Sequence, residues 1–380
     1  MAAYAGLILA KIFPYQTHRI SLTAKIMMGV MTKRPTLEQV AEASHVSVST
    51  ASKALNGTGR ISAETRRIIQ QNAQQIGYRK SNASAARKHS GLVGLITSDH
   101  NGRFALPLLV GAETTLGASN HAALLMSSHG SLSLEQNHIN QLAARGVDGL
   151  IVLGDTTNPR PPLDTSVTMG LPTVYVYDPS KSIDDCSIIC DNVGAGTQAI
   201  EYLLGIGRTH IAIVGGGENF QASKDRIRGA MAAFDMYGEQ PTGVLLDRWS
   251  EEWGEQASRV LLDAYPNVNA VYCLNDEIAH GMIRGLLAAG KRVPQDIAIV
   301  GHDDWEVFSL GMHPTITTFK NNMPLLGKTA AKMLLRAFRG KPYHGTIAIE
   351  CPIVIRESTE TGKHTPVRGS GWFSGLEDRH

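Results

Sequence analysis

Residues 36–56 read TLEQVAEASHVSVSTASKALN, from Thr36 to Asn56, and their patterning decides the first domain. Thr36, Leu37, Glu38 and Gln39 fit a capping box, so a helix should begin at this point. Leu37, Val40 and Ala41 follow helical spacing and give a narrow apolar stripe. Ser47 is placed to cap a second helix, with Val48, Ala51, Ala54 and Leu55 on its apolar side and Ser49, Thr50, Ser52 and Lys53 facing outward. Two short helices joined by a tight turn, the second bearing hydroxyls and a cation, describe a helix-turn-helix with its recognition helix; a plain surface hairpin is the competing reading. The turn places His45 where a glycine is expected, so that residue must tolerate or avoid a left-handed backbone.

A third helix is expected from Ser62, a good N-cap, with Glu64 at its positive end. Ile68, Ile69, Ala73 and Ile76 form its stripe and Gly77 closes it. Charge agrees with a DNA-facing head. Residues 33–90 hold ten Lys/Arg against three Asp/Glu, a surplus of seven, whereas residues 91–380 carry 23 basic and 31 acidic residues. A basic head on an acidic body offers one end to phosphates and keeps the other off them. The whole chain of 380 residues has a formal net charge of only +2, which conceals that division.

From Gly91 onward, short apolar runs alternate with helical stretches. GLVGLIT, AALLM, DGLIVLG and PTVYVY come first; HIAIVG, AVYCL and DIAIVG follow Asp191. Gly146, Gly207 and Gly290 end helices before strands, as left-handed caps do. Apolar strands separated by helices of ten to fifteen residues imply parallel sheets covered on both faces. About eleven strands are too many for one open sheet, so the expected fold class is α/β, a body of two doubly wound lobes behind the helical head. Ligands bind such sheets beyond the carboxyl ends of the strands. Ser98, Asp178, Asp191, Asn275, Asp276, Asp303 and Asp304 all stand there, although a carboxylate in that place is commonly a helix cap or turn residue.

The segments TLEQVAEASHVSVSTASKALNG and ISAETRRIIQQNAQQIGY resemble the headpiece of the lactose-repressor (LacI/GalR) family of transcription regulators, and the likeness extends through nearly all of residues 36–360. KDRIRGAMAAF and NDEIAHGMIRGLLAAGKRVPQDIAIVGHDDW are similar to segments of that family's body, which has the periplasmic sugar-binding fold. The resemblance implies effector binding by Arg226, Asn275 and Asp303 of one lobe and Ser98 and Asp178 of the other, with Trp249 as an aromatic platform. It implies DNA contacts from Val48, Ser49 and Lys53 to bases and from Ser47, Thr50, Ser52 and Asn56 to phosphates, with Thr36 and Leu37 at the start of the same unit. Lys53 stands where the family usually has arginine, so a point charge replaces a bidentate fork. His302 and Met323 also depart from the usual aromatic residues, so effector identity does not transfer.

Residues 79–90, RKSNASAARKHS without its flanks, form a basic linker that in the family becomes a minor-groove hinge helix. Here the expected leucine is replaced near Lys88 and the segment is about two residues short, which sets a flexible basic linker against a hinge helix; Arg87 and Lys88 suit phosphate contacts either way. The expected domains are an extension at 1–32, with translation starting at Met31 or at Met27 or Met28; a head at 33–78; the linker at 79–90; a body at 91–362; and a disordered tail at 363–380. Within the body, lobe 1 is expected at about 91–190 and 321–345 and lobe 2 at about 191–320 and 346–362.

Enzyme readings fail on motif grounds. Gly215, Gly216 and Gly217 suggest a dinucleotide turn, but Phe220 stands where its third glycine belongs, and no GxxxxGK[ST], GxSxG or HExxH occurs. Four cysteines without a CxxC pair or histidines at ligand spacing suit reduced, buried thiols in a cytoplasmic protein. The apolar run Ala5–Phe13 lacks the flanks of a signal peptide. The sequence therefore predicts a homodimeric repressor, with a tetramer left open, acting on a pseudo-palindromic operator under a sugar-like or nucleoside-like effector. No cofactor, metal or membrane partner is expected. A sugar-transport component and a sugar-processing enzyme are the competing classes; the basic head argues against the first and the missing catalytic constellation against the second.

Overall fold

In the computed structural model, residues 36–55, 59, 61–76, 78, 90–99 and 101–360 are described, and they fall into two units divided at Lys88 and His89. The head holds α1 (Leu37–Ala43), α2 (Val48–Leu55) and α3 (Ala63–Gln75). Thr36 N–H donates to Gln39 Oε1 at 2.8 Å, the reach-back arm of the capping box. Ser47 Oγ accepts from Thr50 N at 3.1 Å and Ser62 Oγ from Thr65 N at 3.1 Å, so both expected N-caps form. Val40, Ala41, Ala51, Ala54, Ile69 and Ala73 make the small core. Arg66 donates to the Ala54 carbonyl and Asn72 to the Ala43 carbonyl, so α3 braces the carboxyl ends of both preceding helices. His45 does take the left-handed conformation, with φ +50°. Two apolar residues depart from the expected stripes: Val48 is 42% and Ile68 41% exposed, because so few helices cannot cover a full face. The Gly77 cap, the linker from 79 to 89, the extension at 1–32 and the tail lie outside the described residues.

The body opens with β1 (Leu92–Thr97), α4 (Ala105–Gly117), β2 (Ala122–Ser127), α5 (Leu132–Ala144), β3 (Gly149–Leu153), α6 (Thr165–Thr168), β4 (Thr173–Val176) and β5 (Cys186–Cys190). The chain then crosses to α7 (Asn192–Gly205), β6 (Ile211–Gly216), α8 (Gln221–Tyr237), β7 (Gly243–Asp247) and α9 (Glu251–Ala264). It continues through β8 (Ala270–Cys273), α10 (Asp276–Ala288), β9 (Ala298–Asp303), α11 (Glu306–Ser309) and β10 (Thr317–Lys320). It returns as α12 (Met323–Phe338) and β11 (Gly345–Ile349) and ends on β12 (Ile353–Val354).

Two six-stranded sheets result, ordered β11-β5-β4-β3-β1-β2 and β12-β10-β9-β8-β6-β7. Every pairing is parallel except β10 with β12. The order reverses beside β1 and β3 in one sheet and beside β6 and β8 in the other, which are the switch points where a doubly wound sheet opens a crevice. Three crossovers join the lobes, at Asp191, Asn321 and Cys351. The lobe boundary expected at 345 falls later, because β11 pairs in parallel with β5 as far as Ile349↔Cys190. Gly146, Gly207 and Gly290 have φ of +80°, +82° and +74°, the left-handed caps read from the sequence.

Close helix packing holds each lobe. A Cβ on Gly229 of α8 would lie 1.9 Å from the Val193 carbonyl oxygen, and one on Gly196 of α7 would lie 2.0 Å from that of Arg226. These glycines let the two backbones touch, which fixes the helix that carries Arg226.

Candidate functional site

A cavity of about 180 Å³ lies between the lobes at the carboxyl ends of their strands. Of the six residues expected there, Arg226, Trp249, Asn275 and Asp303 line it together, all from lobe 2. Arg226 is buried on α8 and holds three partners: Nε donates to Asn192 Oδ1 at 2.8 Å, one terminal nitrogen to the Leu274 carbonyl, and the other approaches Asp303 Oδ1 at 3.5 Å. Burial alone would lower its pKa, but Asp303, Tyr272 and Tyr177 hold it above the ordinary arginine value, so the charge persists. Asn275 caps α10, its Oδ1 accepting from Ile278 N at 2.9 Å. Trp249 lies over Gly216, where a Cβ would meet the indole at 2.2 Å, and meets Phe220 edge-on at 5.7 Å.

Asp303 ends β9 with φ +108°, a conformation rare for a residue with a side chain. Tyr177, at the end of β4, has φ +76° and also lines the cavity. Non-glycine residues held in such backbone regions gather at ligand sites, where surrounding structure over-determines them. Asn321, in the second crossover, donates to Asp303 Oδ1 at 2.7 Å, tying the carboxylate to the joint between lobes.

Ser98 and Asp178 do not line the cavity. Ser98 is half-buried at the end of β1, its N–H donating to Leu153 O. Asp178 is buried over Gly154 and faces Arg160 at 3.5 Å; Arg160 in turn forks onto Glu135 at 2.5 and 2.9 Å. Burial pushes the Asp178 carboxyl up to about 7, with Arg160 pulling the other way. The position after β4 was legible, but the half-buried Arg160 turns this side chain into the lobe. Asp191 and Asp276 follow the bland alternative: Asp191 caps α7, while Asp276 accepts from Trp305 N at 2.7 Å and from Thr318 at 2.5 Å. His302 is likewise structural, buried between Tyr272 and Asn321 and held neutral by burial.

Sequence reading missed what lobe 1 brings to the cavity: Arg103, Phe104, Asp155, Thr156, Thr157 and Tyr177. It missed Glu277, Phe220 and Ala222 from lobe 2. Asp99 organises the first group, accepting from Phe104 N at 2.7 Å and Ala105 N at 2.9 Å, which sets Arg103 at the mouth of α4. A cation in the turn after the first strand, beside the switch point, was the available signal. Thr157 lines the cavity and is 6% exposed, and its buried hydroxyl has no hydrogen-bond partner.

In the head, Ser49 and Lys53 are exposed on α2, with Val48 beside them. Ser47 and Thr50 bond one another at 2.8 Å and Ser47 meets Ser49 at 3.0 Å, so the hydroxyls at the start of α2 form one connected edge. Ser52 is half-buried, Thr36 is exposed and Leu37 is half-buried at the start of α1. Lys53 runs beside Gly59, where a Cβ would lie 3.2 Å from its Cδ. Asn56 and Arg87 lie outside the described residues.

A three-helix DNA-binding head and a two-lobed body whose interlobe cavity is lined by charged and aromatic side chains define a ligand-responsive DNA-binding regulator. Residues 36–81 match the model of bacterial regulatory proteins of the lacI family, and residues 200–359 that of the periplasmic binding protein-like domain. The head is a lacI-family DNA-binding domain and the body is periplasmic-binding-protein-like. It is 29% identical over 340 residues to the HTH-type transcriptional regulator CelR of Thermobifida fusca, covering 86% of this chain and 98% of the relative. The structure of a CelR–cellobiose complex superposes with TM-score 0.60 at 28% identity, covering 86% of this chain and all of that one. The lac repressor dimer bound to operator and the anti-inducer ONPF gives TM-score 0.61 at 25% identity, covering 86% and 99%.

Proposed function

We propose that this protein is a transcriptional repressor that binds a pseudo-palindromic operator as a homodimer and releases or grips it according to a sugar-like effector in the interlobe cavity. The observation that carries the reading is the convergence of Arg226, Asn275, Asp303 and Trp249 on one cavity in a chain whose head is a helix-turn-helix. A fork, an amide, a carboxylate and a ring face are what a polyhydroxyl ligand needs. Relatives support the class, since CelR is described with cellobiose and the lac repressor as a dimer on operator. Their regulatory roles also favour a binding protein over an enzyme.

Dimerisation is supported by apolar exposure on lobe 1: Leu106, Val110, Leu124, Leu125 and Leu132 are exposed, Leu132 to 72%, on α4, the edge strand β2 and the start of α5. An edge strand carrying such side chains is a surface that a second copy can cover. Two-fold heads then read two half-sites. A repressor works beside the chromosome, which places it in the cytoplasm, and no helix among the described residues is long and apolar enough to cross a membrane.

The test is a gel shift of the full chain on DNA upstream of its own gene, with a panel of sugars and nucleosides added. A shifted band that one sugar abolishes or strengthens is the expected outcome; no retarded band on any upstream fragment refutes the reading. In the same assay Lys53→Ala should weaken binding by roughly 1–3 kcal/mol and relax sequence preference. Unchanged affinity would remove Lys53 from the interface. Specificity should lean on half-site spacing and DNA shape, because Val48, Ser49 and Lys53 are modest base readers.

A further inference from the structure

Asp303 presents two carboxylate oxygens at the cavity. Oδ1 accepts from Asn321 at 2.7 Å and is faced by Arg226 at 3.5 Å, both from its own side of the cleft. Oδ2 accepts from Arg103, which comes from the opposite lobe, 200 residues earlier in the chain. The Arg103 guanidinium also lies 4.1 Å over the Trp305 ring of lobe 2 and 4.7 Å over the neighbouring Phe104 ring. Charge, hydrogen bonding and ring stacking together hold it across the gap. One further direct contact, Gln221 N–H to Asn158 Oδ1 at 2.7 Å, joins the same two lobes nearby.

We propose that Arg103 is a specificity-determining residue of the cavity, an internal competitor that occupies the ligand-facing oxygen of Asp303 until an uncharged polyhydroxyl effector displaces it. This rests on the reading of Asp303 as an effector-binding carboxylate. A ligand hydroxyl reaching Oδ2 must exchange for a charge-assisted bond, so a single hydroxyl gains little. A ligand that engages Asn275, Thr157 and the Trp249 face at the same time can make that exchange. Arg103 therefore sets a threshold on the number of groups a ligand brings.

Charge selects the class of ligand. Arg103 and Arg226 line the cavity against Asp155, Glu277 and Asp303, a surplus of one negative charge that an uncharged sugar preserves and a sugar acid enlarges. The displaced guanidinium has an acid to turn to in Glu277, whose carboxyl is raised by burial and lowered by the nearby Arg103 charge. Arg103 can thus leave Asp303 without being stranded in a half-buried site.

The proposal is tested first without ligand or DNA. Nitroxides on Gln136→Cys of lobe 1 and Asp263→Cys of lobe 2 report the interlobe distance by double electron–electron resonance on the full chain. Arg103→Ala should lengthen and broaden that distribution, and Arg103→Lys, which keeps the charge but loses the fork, should fall between; a distribution unchanged by Arg103→Ala overturns the proposal. Melting curves confirm that both variants fold. Isothermal titration with cellobiose, D-ribose and D-glucuronate adds the second reading. For a neutral sugar that binds, Arg103→Ala should tighten affinity about tenfold by removing the competing state, and D-glucuronate should bind more weakly than that sugar. Weaker binding in Arg103→Ala would make the residue a ligand contact instead and overturn the proposal. If none of the three sugars binds, the distance distribution decides alone. A failed gel shift would refute the repressor reading and leave these results standing, while an unchanged sugar affinity in Asp303→Asn would locate the fault in the role given to Asp303.

Discussion

The two lobes share one strand order, differing only in the antiparallel β12, yet they treat their cleft residues differently. In lobe 2, Arg226 has three partners, Asn275 is engaged as a helix cap, Asp303 is tied to Asn321 and Trp249 rests on Gly216. In lobe 1, Asp155 is exposed, the Thr157 hydroxyl has no partner and Arg103 finds its carboxylate only across the gap. One half of the cavity is built in advance, and the other is completed when the lobes meet. Pre-organised groups cost a ligand little ordering entropy, whereas groups that depend on closure couple binding to lobe angle. A cavity divided in this way has the asymmetry that an allosteric response needs, since its ligand gains most in one relative position of the lobes.

The largest effect should come from breaking the built half. Arg226→Ala strips a partner from Asn192, the Leu274 carbonyl and Asp303 at once, inside a buried site. Loss of one member of a buried ionic network costs about 3–5 kcal/mol. Urea denaturation of the full chain should show that loss, and any sugar that alters operator binding should lose its effect. Arg226→Lys keeps a charge without the fork and should recover part of the stability but not the response. An intact sugar response in Arg226→Ala would sink the cleft assignment.

A second contrast lies below the lobe 1 surface. Asp178, whose carboxyl is pushed up to about 7 by burial from an ordinary 3.8, retains a proton in the fold that it gives up in the unfolded chain. The folded state therefore binds more protons between about pH 4 and pH 7, so this group's contribution to stability falls as pH rises through that window and is at its lowest above it. Asp178→Asn removes that dependence. The stability difference, variant minus wild type, should grow by roughly 2–4 kcal/mol from pH 4 to pH 8. Parallel melting-temperature curves for the two proteins across that range would show that burial does not control this carboxyl.

How much of this was legible in the sequence depends on how far apart the determining residues lie. Local signals were readable: Ser47 and Ser62 as caps, glycines 146, 207 and 290 as left-handed stops, and strand–helix alternation as two parallel sheets. The start of α9 was less so; Ser250 caps it, its hydroxyl accepting from Trp253 N at 3.1 Å. Among cleft residues, Arg226, Asn275, Asp303 and Trp249 were found through family motifs that sit in one lobe. Ser98 and Asp178 occupy the expected strand ends, but direction is set by distant neighbours: Arg160, itself held by Glu135, draws Asp178 inward. Arg103 carried only a weak local mark, a cation in the turn after the first strand, because its significance depends on an acid 200 residues away in the other lobe.

The smallest test concerns the second direct contact between the lobes. Asn158 Oδ1 accepts from Gln221 N at 2.7 Å, where the first backbone N–H of α8 would otherwise lack an intrahelical partner. Asn158→Ala removes the acceptor, but the donor sits at a half-buried position that water can reach, so the cost should be about 1 kcal/mol. If lobe 1 engages the cavity only on closure, the change should appear in interlobe distance more than in unfolding. Asn158→Ala combined with Arg103→Ala should then open the lobes further than either alone, because each removes one tie across the same gap. Simple additivity of the two would mean independent ties, while a double variant no more open than Arg103→Ala would mean that the arginine alone holds the lobes and that the asparagine merely caps α8 from across the cleft.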